Sequence, residues 1–247
     1  MMEDIRARFL RATPEFCRGC GNIIILNSII SEIKNLFGSM DGFVFLSGIG
    51  CAAWIPSPNI KTDTIHTTHG RPITFATGVK LANPDLKVVV ISGEGDLAGI
   101  GGNHLIHAAR RNIEMMVICV NNLTYAMTGG QLSPTTPQGT ITKTTMEGNI
   151  EYPFDLARLV TNAGASYVAR CRTADKLQLQ RCISNALKKG QKGFAFVEII
   201  SPCPTQFTSR NIKAFQSIKY ELDFGEFLNV DREGFVEKLR RSIKKNH

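Results

Sequence analysis

Lys87-Val88-Val89-Val90-Ile91-Ser92-Gly93-Glu94-Gly95-Asp96-Leu97-Ala98-Gly99-Ile100-Gly101-Gly102 is a β-branched run that breaks into a glycine loop and opens the helical segment Ile100 to Arg111. A strand, a glycine turn and a helix in succession form the unit of a parallel α/β sheet. The apolar run is buried on both faces, and the loop lies beyond the strand's carboxyl end. Glycines let backbone N–H groups approach an anion closely, and the helix N-terminus adds partial positive charge. The bare loop would also suit a nicotinamide dinucleotide. Glu94 and Asp96 argue otherwise, because carboxylates repel a phosphate unless a divalent cation stands between them. Magnesium, which takes about six oxygen ligands and keeps substrate phosphates among them, resolves the conflict.

Outward from this loop the same alternation repeats. Phe43 to Leu46, Met115 to Val120 and Phe194 to Ile200 are short apolar runs bounded by turn residues and read as buried strands, with a further strand at Gly164 to Ala169. Helical spacing runs through Ile23 to Phe37, Thr74 to Ala82, Pro153 to Ala163 and Ala174 to Lys189. The expected fold is therefore α/β, a doubly wound and mostly parallel sheet with helices on both faces and ligands at the strand ends. The strand after the glycine loop ends in Asn121-Asn122-Leu123-Thr124. Glu94, the Asn122 amide oxygen and the Thr124 carbonyl, with two phosphate oxygens and a water, would complete an octahedron around Mg2+. A G-x-G loop followed by Asn-Asn resembles the thiamine diphosphate signature, with Glu94 where Asp is usual and Asp96 as the alternative ligand.

The chain's 247 residues, 43% hydrophobic and 20% charged, suit one sizeable globular core. Its N-terminus lacks the apolar region of a signal peptide and no apolar run reaches membrane-spanning length, so the expectation is a cytoplasmic protein with no membrane association. The net charge of +8 collects in Arg6, Arg8, Arg11 and Arg18 and in the tail Lys238 to Lys245. No aromatic-rich basic stripe accompanies these charges. No nucleic-acid partner is expected; a solvated helical tail or an acidic protein partner fits better.

Of the seven cysteines, Cys17, Cys20, Cys51 and Cys203 stand in Gly- or Pro-bearing turns. In a reducing compartment they point to a soft-metal site, either zinc or an iron–sulfur cluster. Cys119 and Cys182 read as small buried hydrophobes, and Cys171, between Arg170 and Arg172, as a candidate acidified thiol. His66 and His69 match no zinc spacing with these cysteines.

Several blocks together carry a family resemblance: Phe16-Cys17-Arg18-Gly19-Cys20-Gly21-Asn22, Ser47-Gly48-Ile49-Gly50-Cys51, His66-Thr67-Thr68-His69-Gly70-Arg71, Phe75 to Pro84, Gly101-Gly102-Asn103-His104, Thr128-Gly129-Gly130-Gln131 and Ser133-Pro134-Thr135-Thr136-Pro137. Over roughly residues 14 to 205 the chain resembles the β subunit of a 2-oxoacid:ferredoxin oxidoreductase, nearest the 2-oxoglutarate branch. The resemblance implies thiamine-dependent oxidative decarboxylation of a 2-oxoacid to an acyl-CoA with reduction of ferredoxin. It implies that Cys17, Cys20, Cys51 and Cys203 bind one [4Fe–4S] cluster. It also implies that Ile49, Gly50, Cys51, Ala52, His66, Thr67, Thr68, His69, Gly70, Gly95, Asp96, Ala126 and Met127 contact thiamine diphosphate, with Asn121 beside them.

The family further implies an α subunit carrying the pyrimidine site, the activating Glu and most substrate and coenzyme A contacts. No catalytic residue is assigned to this chain. Residues 1–205 are expected to form the cofactor-binding domain and 206–247 a partner-contacting extension. Trp54 departs from the family pattern, which has a basic residue at that position. Arg71 and Lys80 are then the candidate cations for substrate, and the particular 2-oxoacid stays open. The rival readings are a non-redox thiamine decarboxylase subunit, which leaves the four cysteines idle, and a zinc-stabilised nucleotide-binding module, which leaves the acidic loop unexplained.

Overall fold

The computed structural model describes residues 9–11, 14–207 and 222–245. Arg6, Arg8 and residues 208–221 of the expected extension lie outside the described residues. Among the described residues seven strands form one sheet: β1 (Phe43–Ser47), β2 (Asp63–His66), β3 (Lys87–Gly93), β4 (Met115–Asn121), β5 (Tyr167–Arg172), β6 (Phe194–Ile200) and β7 (Gly225–Asn229), in the order β2-β1-β3-β4-β6-β5-β7. Every neighbouring pair is parallel except β5 with β7.

The parallel strands are buried on both sides because alternate residues feed two cores. Phe45, Val89, Ile91, Ile118 and Val197 pack toward α1 (Asn22–Phe37) and α5 (Lys176–Lys189). Leu46, Val88, Val90, Val117 and Phe196 pack toward α2 (Pro72–Ala82), α3 (Gly102–Arg111) and α4 (Leu156–Ala163). Each fully buried aliphatic side chain contributes roughly 1.5–3 kcal/mol, so this two-sided burial is the main source of stability.

The expected strand at Gly164 to Ala169 begins instead at Tyr167, because Gly164 takes a left-handed turn (φ 104°) that closes α4. Helix α2 starts earlier than expected, with Pro72 in its first turn, where a missing N–H does no harm. Strands β2 and β7 were not foreseen. The half-exposed β2 and β7 are edge strands without the unbroken apolar runs of the centre.

The described part of the C-terminal extension joins the same body. β7 pairs with β5, and α6 (Phe235–Lys245) is tied to the residue before β4: Val236 N and Glu237 N each donate to the Glu114 carboxylate at 3.0 Å. A carboxylate there satisfies free amides and opposes the helix dipole. Gly234 is needed beside it, since a Cβ would lie 2.1 Å from Glu114 Oε1. The basic tail thus sits at the amino edge of the central strands, with Arg240 3.6 Å from Asp85. Lys80 is at that edge too. It is 5% exposed and its Nζ donates to the Pro84 and Leu86 carbonyls, both at 2.8 Å, so its charge secures a turn and is not a substrate cation.

Cys119, Cys171 and Cys182 are all buried. Cys171 is not acidified: its hydrogen bond to Cys182, with burial, pushes its thiol well up, and the flanking arginines do not offset this. Among the described residues no helix is long and apolar enough to cross a membrane.

Replacing Glu114 by Ala should cost about 1–2 kcal/mol of stability, the usual price of a lost N-cap. Denaturant unfolding, with hydrogen exchange of α6 amides, reads both the loss and its location.

Candidate functional site

Parallel pairing aligns the carboxyl ends of five strands along one edge. There β1 delivers Gly48 to Cys51, β2 delivers Thr67 to Gly70, β3 delivers Glu94 to Asp96, β4 delivers Asn122 to Thr124, and β6 delivers Ser201 to Cys203. Sequence segments far apart in the chain therefore converge without any special contact.

Asp96 joins three of these loops. Its side chain is fully buried; Oδ1 accepts from Ile49 N at 3.2 Å and Gly70 N at 2.7 Å, and Oδ2 accepts from Ser92 Oγ at 2.7 Å. His69 Nδ1 lies 2.6 Å from Oδ1, but off the direction of its N–H, so this contact is a close electrostatic approach and not an aligned hydrogen bond. Asp96 is the second residue of a wide, π-type turn, Gly95–Ile100, that precedes α3; the expected helix start at Ile100 missed it. Such turns are rare and concentrate at functional sites.

Glu94 points elsewhere. Its carboxylate accepts from Asn122 N at 3.3 Å and Thr124 N at 3.0 Å, and the Asn122 side-chain oxygen accepts from that same Thr124 N–H at 3.1 Å. Two of the three protein oxygen donors anticipated for Mg2+, those of Glu94 and the Asn122 side chain, thus converge on one amide, and Asp96 is not among them. Burial pushes the Glu94 carboxyl up to about 7, the behaviour of a carboxylate whose hydrogen-bond partners are neutral. A divalent cation would reverse that shift, so the donor set fits a hard metal. Between Asn122 and Thr124 stands Leu123 at φ 69°, a left-handed conformation costing a leucine roughly 1–2 kcal/mol. Tyr125 closes over the loop, its hydroxyl donating to Gly95 O at 3.2 Å, where a Cβ on residue 95 would lie 2.2 Å from the ring.

Asn121 differs from its neighbour. Its side chain faces inward, donating to Glu198 Oε1 at 2.8 Å and accepting from Leu123 N at 3.1 Å and Thr135 Oγ1 at 2.8 Å. Thr67 is likewise committed, its hydroxyl donating to Ser47 O at 3.1 Å. Gly50 has φ 121°, a backbone that only glycine adopts readily, and Ala52 is buried behind it. His66 and Thr68 are exposed at the rim, with the His66 ring in an edge contact to Trp54 at 6.4 Å.

Cys17, Cys20, Cys51 and Cys203 line one cavity of about 670 Å3, together with Asn22, Trp54, Asn122, Ala126 and Met127. Among the described residues, no three His, Cys, Asp or Glu side chains close to the spacing of a preformed metal site. The cysteines are nonetheless electrostatically linked. Burial, then Cys203, Cys20 and Cys17, pushes Cys51 up to about 11, and burial followed by Cys203 and Cys17 raises Cys20. Mutual repulsion of thiolates is what a bound metal group removes, so this donor set fits one. Asn22 Nδ2 donates to Cys51 O at 3.3 Å, and Cys203 N donates to Asn122 O at 3.3 Å. Asn122, whose N–H donates to the Glu94 carboxylate, is the link between the cysteine cavity and the Glu94 loop.

The sequence matches the thiamine pyrophosphate enzyme, C-terminal TPP binding domain, over residues 48–199. It is 57% identical over 198 residues to the 2-oxoglutarate synthase subunit KorB of Methanothermobacter thermautotrophicus, covering 79% of this chain and 68% of that protein. The chain belongs to the family of 2-oxoglutarate synthase and 2-oxoacid:ferredoxin oxidoreductase β subunits. The KorB subunit of Methanocaldococcus jannaschii is 45% identical over 253 residues, 93% of each chain. Among solved structures, a 2-oxoglutarate:ferredoxin oxidoreductase from Magnetococcus marinus with 2-oxoglutarate, coenzyme A and succinyl-CoA bound superposes with a TM-score of 0.89 at 28% identity, over 98% of this chain and 90% of that one. As a member of this β-subunit family the chain is part of an oxidoreductase complex, and residues 48–199 are its thiamine diphosphate-binding domain.

Sequence reading missed Ser92, Tyr125, Thr135, Arg170 and Glu198. The available signal was polarity where a buried strand should be apolar: Ser92 is the penultimate residue of β3, and Glu198 interrupts β6.

Gly48 and Gly78 should respond oppositely to Ala. At Gly48 a Cβ would lie 2.0 Å from Asp96 Oδ2, so Gly48→Ala should cost about 1–3 kcal/mol and weaken thiamine diphosphate binding. Gly78, inside α2, has open space around it, and Gly78→Ala should stabilise by roughly 0.5–1 kcal/mol with binding unchanged. Thermal unfolding and calorimetric titration check the pair.

Proposed function

We propose that this chain, with a partner subunit, catalyses the thiamine-dependent oxidative decarboxylation of a 2-oxoacid, with 2-oxoglutarate favoured, to an acyl-CoA, with the electrons passing to ferredoxin. The observation that carries this reading is the shared cavity: the four cysteines line the same space as Asn122, whose backbone N–H donates to Glu94 of the acidic loop. When bound, thiamine diphosphate supplies an electron sink and a [4Fe–4S] cluster supplies one-electron transfer.

In this reading Glu94, the Asn122 side chain and the Thr124 backbone hold Mg2+, and Cys17, Cys20, Cys51 and Cys203 hold the cluster. Asp96 fixes the Ile49 and Gly70 amides in place, so the Gly50 turn and the 66–70 loop meet the diphosphate preorganised. His69, beside Asp96, is the donor toward phosphate. Gly50 and Cys51 are consecutive, which keeps the electron path short. Arg71, exposed after Gly70, is the remaining candidate cation for a dicarboxylic substrate, since Lys80 is spent at the far edge.

Two surfaces support the proposed partners. Ile49, Trp54, Met127, Ile150, Tyr152 and Phe154 are all exposed apolar side chains on loops beyond the strand carboxyl ends. Such side chains favour a protein partner, and the α subunit with the pyrimidine site and coenzyme A contacts is the one the family supplies. Arg18, exposed between Cys17 and Cys20, suits an acidic ferredoxin at the cysteine face. The basic α6 is at the opposite edge and does not serve that docking.

Co-expressed with its partner subunit and assayed without oxygen, the complex should reduce ferredoxin only when 2-oxoglutarate, coenzyme A and thiamine diphosphate are all present, while the chain alone stays inactive. Cys51→Ser should reduce electron output to background and leave the thermal midpoint of the apo chain nearly unchanged. Turnover by the isolated chain, or full ferredoxin reduction by the Cys51→Ser complex, would contradict the proposal.

A further inference from the structure

Arg170 on β5 and Glu198 on β6 form an ion pair at the centre of the fold, Nε to Oε2 at 2.7 Å, with the two residues 0% and 1% exposed. The function proposed above gives neither residue a task. Nor does packing require them, because a well-packed apolar pair in such a place is commonly as stable as the ions or more so. What the ions add is direction.

Every polar end of this pair is used. Arg170 reaches the Asp155 carboxylate through Nη2 and the Asp223 carbonyl through Nη1 at 3.2 Å, and its guanidinium lies 5.0 Å from the centre of the Phe227 ring. Glu198 spends Oε2 on Arg170 and Oε1 on the Asn121 amide, Nδ2 to Oε1 at 2.8 Å. That contact decides which way the amide of Asn121 faces. Its oxygen is turned to accept from Leu123 N at 3.1 Å, while Thr136 Oγ1 holds the Leu123 carbonyl at 2.8 Å. Leu123 is thereby pinned from both sides in its left-handed conformation, at the bend between Asn122 and Thr124. Arg170 and Glu198 also grip both stems of one long connection: Asn121 ends β4 where the loop leaves the sheet, and Asp155 caps α4 where the loop returns.

We infer that the Arg170–Glu198 pair is a positioning clamp for the cation-binding loop, acting through Asn121 to set Leu123 and so to gather Asn122 and Thr124 with Glu94. The inference rests on the assignment of Glu94, Asn122 and Thr124 to Mg2+ and thiamine diphosphate. Its consequence is specific. Losing the relay leaves a sheet that still folds, with a loop that no longer presents its oxygens together.

The test uses the complex with its partner subunit and compares wild type, Asn121→Ala and the double variant Arg170→Met/Glu198→Leu. Affinity for Mg2+ at saturating thiamine diphosphate is measured by calorimetry, and the thermal midpoint is measured without either ligand. The clamp predicts at least about a tenfold weaker Mg2+ affinity in both variants, no further loss when all three changes are combined, and an apo midpoint in the double variant close to wild type. If the double variant fails to fold, Asn121→Ala carries the affinity test alone. Unchanged Mg2+ affinity in a folded variant overturns the clamp, as does an apo midpoint that falls while affinity holds, the behaviour of a merely structural pair. A wild-type complex that binds no Mg2+ with thiamine diphosphate removes the underlying assignment, and the clamp with it.

Discussion

The Asp96 carboxylate, its side chain wholly buried, accepts from the Ile49 and Gly70 amides and the Ser92 hydroxyl and stands against His69. Taking a carboxylate out of water is costly, and the cost is met only when fixed donors surround it. Here those donors come from the ends of β1 and β3 and from the turn after β2, so satisfying one buried charge fixes three loops at once. The constraint explains neighbours that otherwise look arbitrary. Position 48 must lack a Cβ, Ser92 is polar at the end of an apolar strand, and Gly70 has no room for a side chain against Ile100. It also divides the labour of the two acidic residues: Asp96 is spent on structure, and Glu94 is left to face Asn122 and Thr124.

The rest of the site hangs on the same edge of the sheet. Because β4 and β6 are parallel neighbours, Asn122 and Cys203 leave the sheet side by side and hydrogen-bond through their backbones. The loop after β4 and the cysteine turn after β6 are thus tied by a backbone hydrogen bond. That coupling is what the proposed one-electron chemistry asks of the protein, which contributes position more than reactive groups. Beneath both, the Arg170–Glu198 pair links β5 and β6 to the loop that starts at Asn121. The basic residues of α6 lie at the other edge of the sheet, apart from this buried pair.

The central strands were legible because a parallel sheet buried on both faces demands continuous apolar runs, and β3, β4 and β6 have them. The glycine loop was legible because a β-branched run that breaks into glycines and then turns helical marks a strand-end turn. Edge strands β2 and β7 were not, since partial exposure removes the pattern that marks a strand. Asn121 and Asn122 read alike as letters, yet the pleat and the left-handed Leu123 send one amide to the core and the other to the loop. Lys80 looked like a spare cation until its helix placed it at the wrong end of the sheet. Glu94 and Asp96 likewise read alike as acids two positions apart, and only the structure shows that their carboxylates face different loops.

The proposed function joins the four cysteines and the Glu94 loop in one redox site. Anaerobic purification of the complex, with iron and acid-labile sulfide analysis and electron paramagnetic resonance after reduction, tests it most directly. The account predicts about four irons for the cysteine set of this chain, abolished by Cys203→Ser, and a reduced-cluster signal whose shape changes when thiamine diphosphate and Mg2+ are bound. A colourless complex carrying zinc on these cysteines, or a cluster signal indifferent to thiamine diphosphate, would contradict it.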